Sequence, residues 1–343
     1  MIPSLVSIIV LNWHSKNSIE ACVESLLQQS YSHREIILVD NASQDGSLEL
    51  LRSKYHSRIS IIQNERNLGF AEGVNTGIRS SQGEFIALLN ADATAHPDWL
   101  QHLVSTMTQS LNIGMCTSKI YLTGKDRLLD NVGSQICMDG LGRAKGRMEP
   151  DQGQFDHLQE ALSPSGCAGF YRRKMLEEIG GFDSSFFAYM EDVDMGLQGH
   201  LLGYENRFVP QAVAHHQLSS SAGLVSTLKA YYVERNRLWV VIKCFPMNRL
   251  LLSFGITLQR FFFILMGMFR RQGPAAQFAK ESNGLLLGWI LIKGYLSTLY
   301  HLPQLLQKRS EITKKKKISN REFETLLRRF EISPKEAALQ ELN

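Results

Sequence analysis

The chain has 343 residues, 44% hydrophobic and 20% charged, with a formal net charge of +4. That length can bury a large core in one big domain or two smaller ones, and that balance fits a globular protein. The charge excess is too small to argue for nucleic acid, so no nucleic-acid partner is expected. The five cysteines (Cys22, Cys116, Cys137, Cys167 and Cys244) are scattered and show no CxxC spacing, which argues against a disulfide framework or a zinc site and for a reducing compartment. Met1-Ile2-Pro3-Ser4 leads straight into an apolar segment with no basic n-region, so no signal peptide is expected.

Residues 5–11 read as a buried parallel strand, short and apolar throughout except at Ser7. Asn17 to Gln29 has helical spacing, Glu35 to Val39 is a second strand ending at Asp40, and Ser47 to Tyr55 is a second helix. Ile59 to Gln63 is a third strand, Phe70 to Arg79 a third helix and Phe85 to Leu89 a fourth strand. This alternation predicts an α/β fold, a doubly wound, mainly parallel sheet with helices on both faces. Ligands bind at the carboxyl ends of such strands. The polar residues there become the candidates: Asn12-Trp13-His14, Asp40 to Ser43, Asn64 to Gly69, and Asn90-Ala91-Asp92.

From about 115 to 165 glycines break the pattern and mixed strands and loops are expected. Lys174 to Ile179 and Asp192 to Leu202 read as helices, and Arg207 to Val209 as a short strand before Pro210. Leu250 to Phe269 and Gly284 to Leu302 are each long enough to suggest a transmembrane span. Gln259 and Arg260 interrupt the first, and Lys293 the second; basic residues at mid-bilayer are costly. The preferred reading is helices in the membrane interface or packed on the catalytic domain, basic heads toward phosphates, with a plain helical core as the alternative. The run Lys314 to Lys317, with Lys308, Arg309, Arg328 and Arg329 around it, suits either a solvated face or an anionic membrane surface. Asn320 to Asn343 reads as one charged amphipathic helix. Residues 1–245 are expected to form the catalytic domain, with a nucleotide-binding half to about 110 and an acceptor half from 111. Residues 246–343 then form a helical, apolar and basic C-terminal region.

Two acidic clusters stand out. Leu88-Leu89-Asn90-Ala91-Asp92 is an apolar run ending in Asn-x-Asp, and Tyr189 to Asp194 packs Glu191, Asp192 and Asp194 into four positions. A carboxylate at a strand end can hold a divalent cation against a diphosphate, and a later acid can act as general base on a hydroxyl. With Val6 to Trp13, Val39 to Ser47, Asn67 to Ala71 and Gly180-Gly181-Phe182-Asp183 in order around them, the chain resembles a family 2 glycosyltransferase of the bacterial rhamnosyltransferase-like branch over about residues 5–245.

The resemblance implies a GT-A fold, a nucleotide-sugar donor, Mg²⁺ or Mn²⁺ and inversion at the anomeric carbon. It implies Asp192 as catalytic base with Glu191 beside it, and a metal on Asp92 and His215, preferred over His216. Nucleotide contacts would come from Leu11, Asn12, Trp13, Asp40, Asn67, Gly69, Asn90 and Asp92. Asn90 replaces the first acid of the family's DxD motif, which lowers the local negative charge. Several residues keep a structural alternative: Asp40 as a turn cap, Trp13 as packing, and Asp194 as a charge at a helix N-terminus. Arg235 or Arg237 reads as a diphosphate clamp or as solvated helix charge. The donor is expected to be a dTDP-, UDP- or GDP-sugar, rhamnose included, and the acceptor a surface glycan or polyprenyl-linked glycan. The site of work is expected at the inner face of the cell membrane, peripherally. The alternatives are a non-catalytic binding relative and a sugar nucleotidyltransferase. The latter wants a glycine-rich basic loop where Asn12 to Ser15 stand.

Overall fold

Two seven-residue runs, VSIIVLN and REIILVD, form the parallel pair β1 (Val6–Asn12) and β2 (Arg34–Asp40) at the centre of the computed structural model, which describes residues 4–125, 127–217, 226–276 and 284–340. β3 (Ser60–Gln63) and β4 (Phe85–Asn90) flank them, also parallel. The linking helices are α1 (Ile19–Leu27), α2 (Ser47–Tyr55) and α3 (Gly69–Arg79). These elements lie where the alternation puts them. A further helix, α4 (Trp99–Met107), buries Trp99, Leu100, Leu103, Val104 and Met107 on one face. That spacing is present in the sequence after Pro97-Asp98, and the reading above passed over it.

Beyond β4 the sheet becomes mixed. The order is β3-β2-β1-β4-β10-β6-β11-β5, with β7 (Leu129–Asn131) paired to β6. β10 (Gly169–Arg172) runs antiparallel between β4 and β6 (Ile113–Leu122), and β5 (Ala93–Ala95) antiparallel to β11 (Glu205–His216). β8 (Ser134–Ile136) and β9 (Gly142–Ala144) form a separate hairpin. Strand β11 corrects the short strand expected at Arg207 to Val209. It continues through Pro210 because the register with β6 shifts between Val209 and Val213, and a bulge tolerates proline's missing N–H.

α1 and α4 pack on one sheet face and α3, α5 (Arg173–Ile179) and α6 (Glu191–Leu201) on the other. A third core joins α6 to α7 (Thr227–Cys244), α10 (Leu302–Lys315) and α11 (Asn320–Arg329) through Val193, Leu197, Trp239, Leu305, Phe323 and Leu327. The terminal segment is two helices, not one. Ser319 and Ser333 each form a capping box, with Glu322 and Glu336, and the second opens α12 (Pro334–Leu339). Proline disfavours helical backbone at the residue before it, so the chain breaks at Ser333. The break lets the Ile332 N–H donate to the Ile136 carbonyl (3.0 Å) and the Ile136 N–H to the Phe330 carbonyl (2.9 Å), beside the β8–β9 hairpin.

The long helices α8 (Met247–Arg270) and α9 (Gly284–Tyr300) dock on α7 and α12 by one side only. α8 is long and apolar enough to cross a membrane, with a mean hydropathy of 1.7 over its best window. Arg260 does not reach outward as expected. It is buried, donating to Asp139 at 2.5 Å and pairing with Glu234 at 2.8 Å; Arg237 joins both acids at 3.5 and 2.6 Å. Lys308, Lys315 and Lys317 of the basic stretch reach Asp183 and Glu178, while Lys314, Lys315 and Lys317 remain exposed to solvent.

Candidate active site

The carboxyl ends of β1, β2 and β4 meet at one edge of the sheet. Asn12 is buried there and donates to Asp40 (2.7 Å), Ser47 (2.8 Å) and Ser43 (3.1 Å). The other Asp40 oxygen accepts the Ser43 N–H at 3.0 Å. Asp40 is fully buried with both oxygens engaged, so the hydrogen bonds displayed are those of the turn cap. Trp13 does not pack in the core: its ring is 38% exposed and stacks on His14 with centroids 5.0 Å apart. Leu11 is half-buried, its methyl 2.4 Å from where a Cβ at Gly73 would sit.

Asn67 accepts the Gly69 N–H at 2.8 Å, shaping the turn into α3. Gly69 has φ +82°, and a Cβ there would stand 2.4 Å from the Phe187 carbonyl oxygen, so both the turn and the close approach require glycine. Through this contact the turn into α3 touches the segment that leads into Glu191 and Asp192.

That segment is strained. Phe187, Tyr189 and Met190 all have positive φ (66°, 67° and 71°) immediately before α6. Backbone of this kind persists only where surroundings over-determine it. Asn236 of α7 supplies the constraint, donating to the carbonyls of Phe186 (3.1 Å), Ala188 (2.9 Å) and Tyr189 (2.7 Å). Arg235 adds bonds to Ser185 and Phe186 at 2.9 Å and lies over Trp239 at 4.2 Å. Arg235 and Arg237 are therefore neither a diphosphate clamp nor solvated charge: both are buried and spend their donors on the protein. Asn236→Ala should lower kcat well before it affects nucleotide affinity, and cost about 1–3 kcal/mol in a denaturant titration, since the Ala188 and Tyr189 carbonyls lose the Asn236 donor while Phe186 keeps that of Arg235.

At the start of α6, Asp192 accepts the N–H groups of Val193 (2.8 Å) and Gly166 (3.1 Å). Burial raises its pKa against these bonds. Burial also pushes the Glu191 carboxyl well above the usual carboxylate range, reinforced by Asp192 and Asp194. Glu191 Oε2 has no hydrogen-bond partner. Asp194 does more than charge the helix terminus. It reaches Lys243 at 2.8 Å and Gln198 at 2.7 Å, while Lys243 also holds Asp183 at 2.7 Å.

Asp92, past the tip of β4, lies 3.3 Å from His216 Nε2, and His216 Nδ1 lies 2.8 Å from Asp130. The expectation favoured His215. Adjacent residues of a strand point to opposite faces, and the bulge sets the register so that His215 stacks on Tyr121 (5.7 Å) while His216 turns to the cleft. Asp130, which also pairs with Arg147, was missed because it sits in the glycine-broken stretch where no period marks it. The two acids raise the His216 pKa to about 9, outweighing burial. Asp130 fixes one ring nitrogen and leaves Nε2 aimed at Asp92, the arrangement in which an imidazole ligand is usually oriented. One carboxylate and one imidazole suit Mg²⁺ or Mn²⁺ if phosphates and water complete the shell. Among the described residues no group of three or more such side chains is arranged to hold a metal by itself.

Asn90, Asp92, Asp130, Glu191, Asp192 and His216 all line one open cleft of about 470 Å³. Asn90 donates its N–H to Cys167 at 2.8 Å, tying β4 to the small-residue turn Ser165 to Ala168 beside Asp192. All five cysteines are free and buried.

Comparison with known proteins identifies the family and the fold. The family model described as "Glycosyl transferase family 2" matches residues 7–180, half of the chain. The glycosyltransferase AglE of Haloferax volcanii is 27% identical over 62% of this chain and 66% of its own length. The putative glycosyltransferase EpsH of Bacillus subtilis is 24% identical over 68% and 70%. An uncharacterised Sinorhizobium fredii protein, y4gI, is 28% identical, but the match spans only 25% of its length. Among solved structures, the Pyrobaculum calidifontis mannosyltransferase PcManGT, in complex with GDP-Man and Mn²⁺, superposes over 90% of this chain and 85% of its own (TM-score 0.53, 17% identity). GalNAc-T7 with UDP, GalNAc and Mn²⁺ covers 71% of this chain and 48% of its own (TM-score 0.57, 16% identity). The curled mixed sheet is that of the GT-A glycosyltransferases. With a family match across half its length, the chain belongs to glycosyl transferase family 2.

Proposed function

We propose that the chain is a metal-dependent inverting glycosyltransferase that moves a sugar from a nucleoside-diphosphate donor to a hydroxyl of a lipid-linked bacterial surface glycan. The observation that carries this reading is the placement of Asp92 and His216 in the same cleft as Asp192. Asp192 takes the proton of the acceptor hydroxyl as its oxygen bonds to the anomeric carbon. The bond from that carbon to the diphosphate oxygen breaks, and the nucleoside diphosphate leaves from the opposite face. Glu191, whose burial favours the neutral acid, is placed to donate a hydrogen bond that orients the acceptor. Asp92 and His216 would hold a divalent cation, which when bound neutralises charge on the diphosphate. Asn12, Trp13 and the Asp40–Ser43 turn border the nucleotide, and Asn67 with Gly69 shapes the turn beside it. L-Rhamnose from a dTDP donor is the sugar the sequence resemblance favours. A thermal-shift panel of dTDP, UDP and GDP with Mn²⁺, followed by mass analysis of products, tests this. No stabilisation by any of the three would overturn it.

The long apolar helices support work at a membrane surface. Leu251, Phe254, Leu258, Phe262, Leu265 and Phe269 form one exposed stripe on α8, and Trp289, Ile292, Leu296 and Leu299 another on α9. Arg270, Arg271 and Lys293 stand exposed beside them, as interfacial helices on anionic lipid require. The preferred location is therefore peripheral, at the cytoplasmic face. Phe254→Ser with Phe262→Ser should weaken binding to vesicles of anionic phospholipid at least tenfold, in line with the transfer energy of two phenyl side chains. Co-sedimentation checks it; unchanged binding counts against the membrane reading.

A further inference from the structure

The cleft is lined by three basic side chains as well as by carboxylates. Arg143 and Arg147, around the end of β9, and Lys229, in the first turn of α7, all line it. Arg147 is paired with Asp130, and Arg143 spends two nitrogens on the Ala337 carbonyl, at 3.0 and 2.8 Å. Lys229 is different. It is half-buried, its Nζ lies 5.7 Å from the centre of the Tyr189 ring, and among the described residues it has neither a hydrogen bond nor an ion pair for its ammonium. Burial and the two guanidiniums lower its pKa to about 8. A half-buried cation beside two others is held at a cost unless an anion joins them.

The surroundings say which anion. The donor's diphosphate belongs with Asp92 and His216. Lys229 lines the same cleft together with Gly142, Ala144, Val233 and Gln340, within electrostatic reach of Asp130. Within the next two turns of α7, α9 crosses: Lys293 lies over Tyr231 at 5.3 Å, and a Cβ at Gly294 would stand 3.6 Å from the Arg235 backbone nitrogen. The ammonium therefore stands between the cleft that takes the glycan and the helices whose outer sides are apolar. An acceptor with a sugar at one end and a hydrocarbon chain at the other carries its phosphate at that junction. Building on the reading above, we propose that Lys229, supported by Arg143 and Arg147, binds the phosphate or diphosphate of a lipid-linked acceptor.

The test measures binding to the full chain in detergent micelles. The probes are farnesyl diphosphate, farnesol, inorganic diphosphate, and UDP, dTDP and GDP with Mn²⁺. The variants are Lys229→Ala and Lys229→Arg, each checked for an unchanged thermal midpoint. Loss of one charge-assisted contact should weaken farnesyl diphosphate about tenfold or more in Lys229→Ala. Lys229→Arg should largely restore it, farnesol should bind weakly to every form, and nucleotide affinity should stay within about twofold. Equal farnesyl diphosphate affinity in wild type and Lys229→Ala overturns the proposal. So does a parallel loss of nucleotide affinity, which gives the lysine to the donor, or inorganic diphosphate matching farnesyl diphosphate, which makes it a free-phosphate site. A wild-type chain that binds no nucleotide yet loses farnesyl diphosphate in Lys229→Ala refutes the transferase reading and leaves this anion site standing.

Discussion

Asp192→Asn should abolish transfer, lowering kcat by about a thousandfold or more, while Kd for the nucleotide changes little. Removal of a positioned general base costs on the order of 10²–10⁴ in rate. The amide keeps the shape but cannot take a proton, and its single oxygen can accept only one of the N–H groups of Val193 and Gly166, which bond separate carboxylate oxygens at 2.8 and 3.1 Å. The pH profile sharpens the test. Burial raises the Asp192 pKa, so activity should rise with pH through a value above the ordinary carboxylate range. Burial, reinforced by Asp192 and Asp194, raises the Glu191 pKa further, which favours its neutral acid and leaves the role of base to Asp192. Glu191→Gln, which keeps a donor, should retain much more activity than Asp192→Asn. If the two variants fell equally, or if Asp192→Asn still turned over, the assignment of the base would be wrong.

Asp139→Ala should cost about 3–5 kcal/mol of stability, the largest structural effect expected of a single substitution here. Asp139 is wholly buried between Arg260 of α8 and Arg237 of α7, and its loss leaves two guanidiniums to share Glu234. A shift in the urea midpoint with little change in slope would report it. The network also sets a pH response. Arg237 and Arg260 hold Asp139 below its usual pKa, and hold Glu234 at about 2. A depressed carboxylate contributes stability that is complete above its unfolded-state pKa and is lost as pH falls toward its folded one. The α7–α8 contact should therefore weaken between about pH 4.5 and pH 2. Arg260→Met, which leaves Arg237 between the two acids, should cost less. A small effect of Asp139→Ala would mean that water enters and solvates the arginines.

Legibility differed along the chain. The elements through β4 follow from apolar runs with polar tips, because each strand there is a local run with helices at a regular tempo. The resemblance rested on short ordered segments, Asn67 to Ala71 and Gly180 to Asp183 among them, and Gly69 shows why such a glycine is fixed. The choice between His215 and His216 was not legible. It depends on a bulge at Val209–Val213, which no local pattern reports. Asp130 was invisible for a related reason: its partners, His216 and Arg147, lie 86 and 17 residues away.

Arg260 teaches the opposite lesson. In sequence it reads as a charge spoiling an apolar helix. In the fold it is the inward-facing anchor that leaves the rest of α8 bare.

By itself the sequence determined the α/β alternation, the acidic tips of β4 and α6, the family and the apolar character of the last hundred residues. These are set by nearest neighbours along the chain, through periodicity, turn chemistry and composition. The tertiary structure alone decided which histidine meets Asp92, and that Asn236 clamps the strained turn before Asp192. It also decided which arginines are buried as ion pairs, and that Lys229 is left facing the cleft. Each of those outcomes pairs groups far apart in sequence. Their energies come from burial and charge at contact distance, which exist only once the chain has closed.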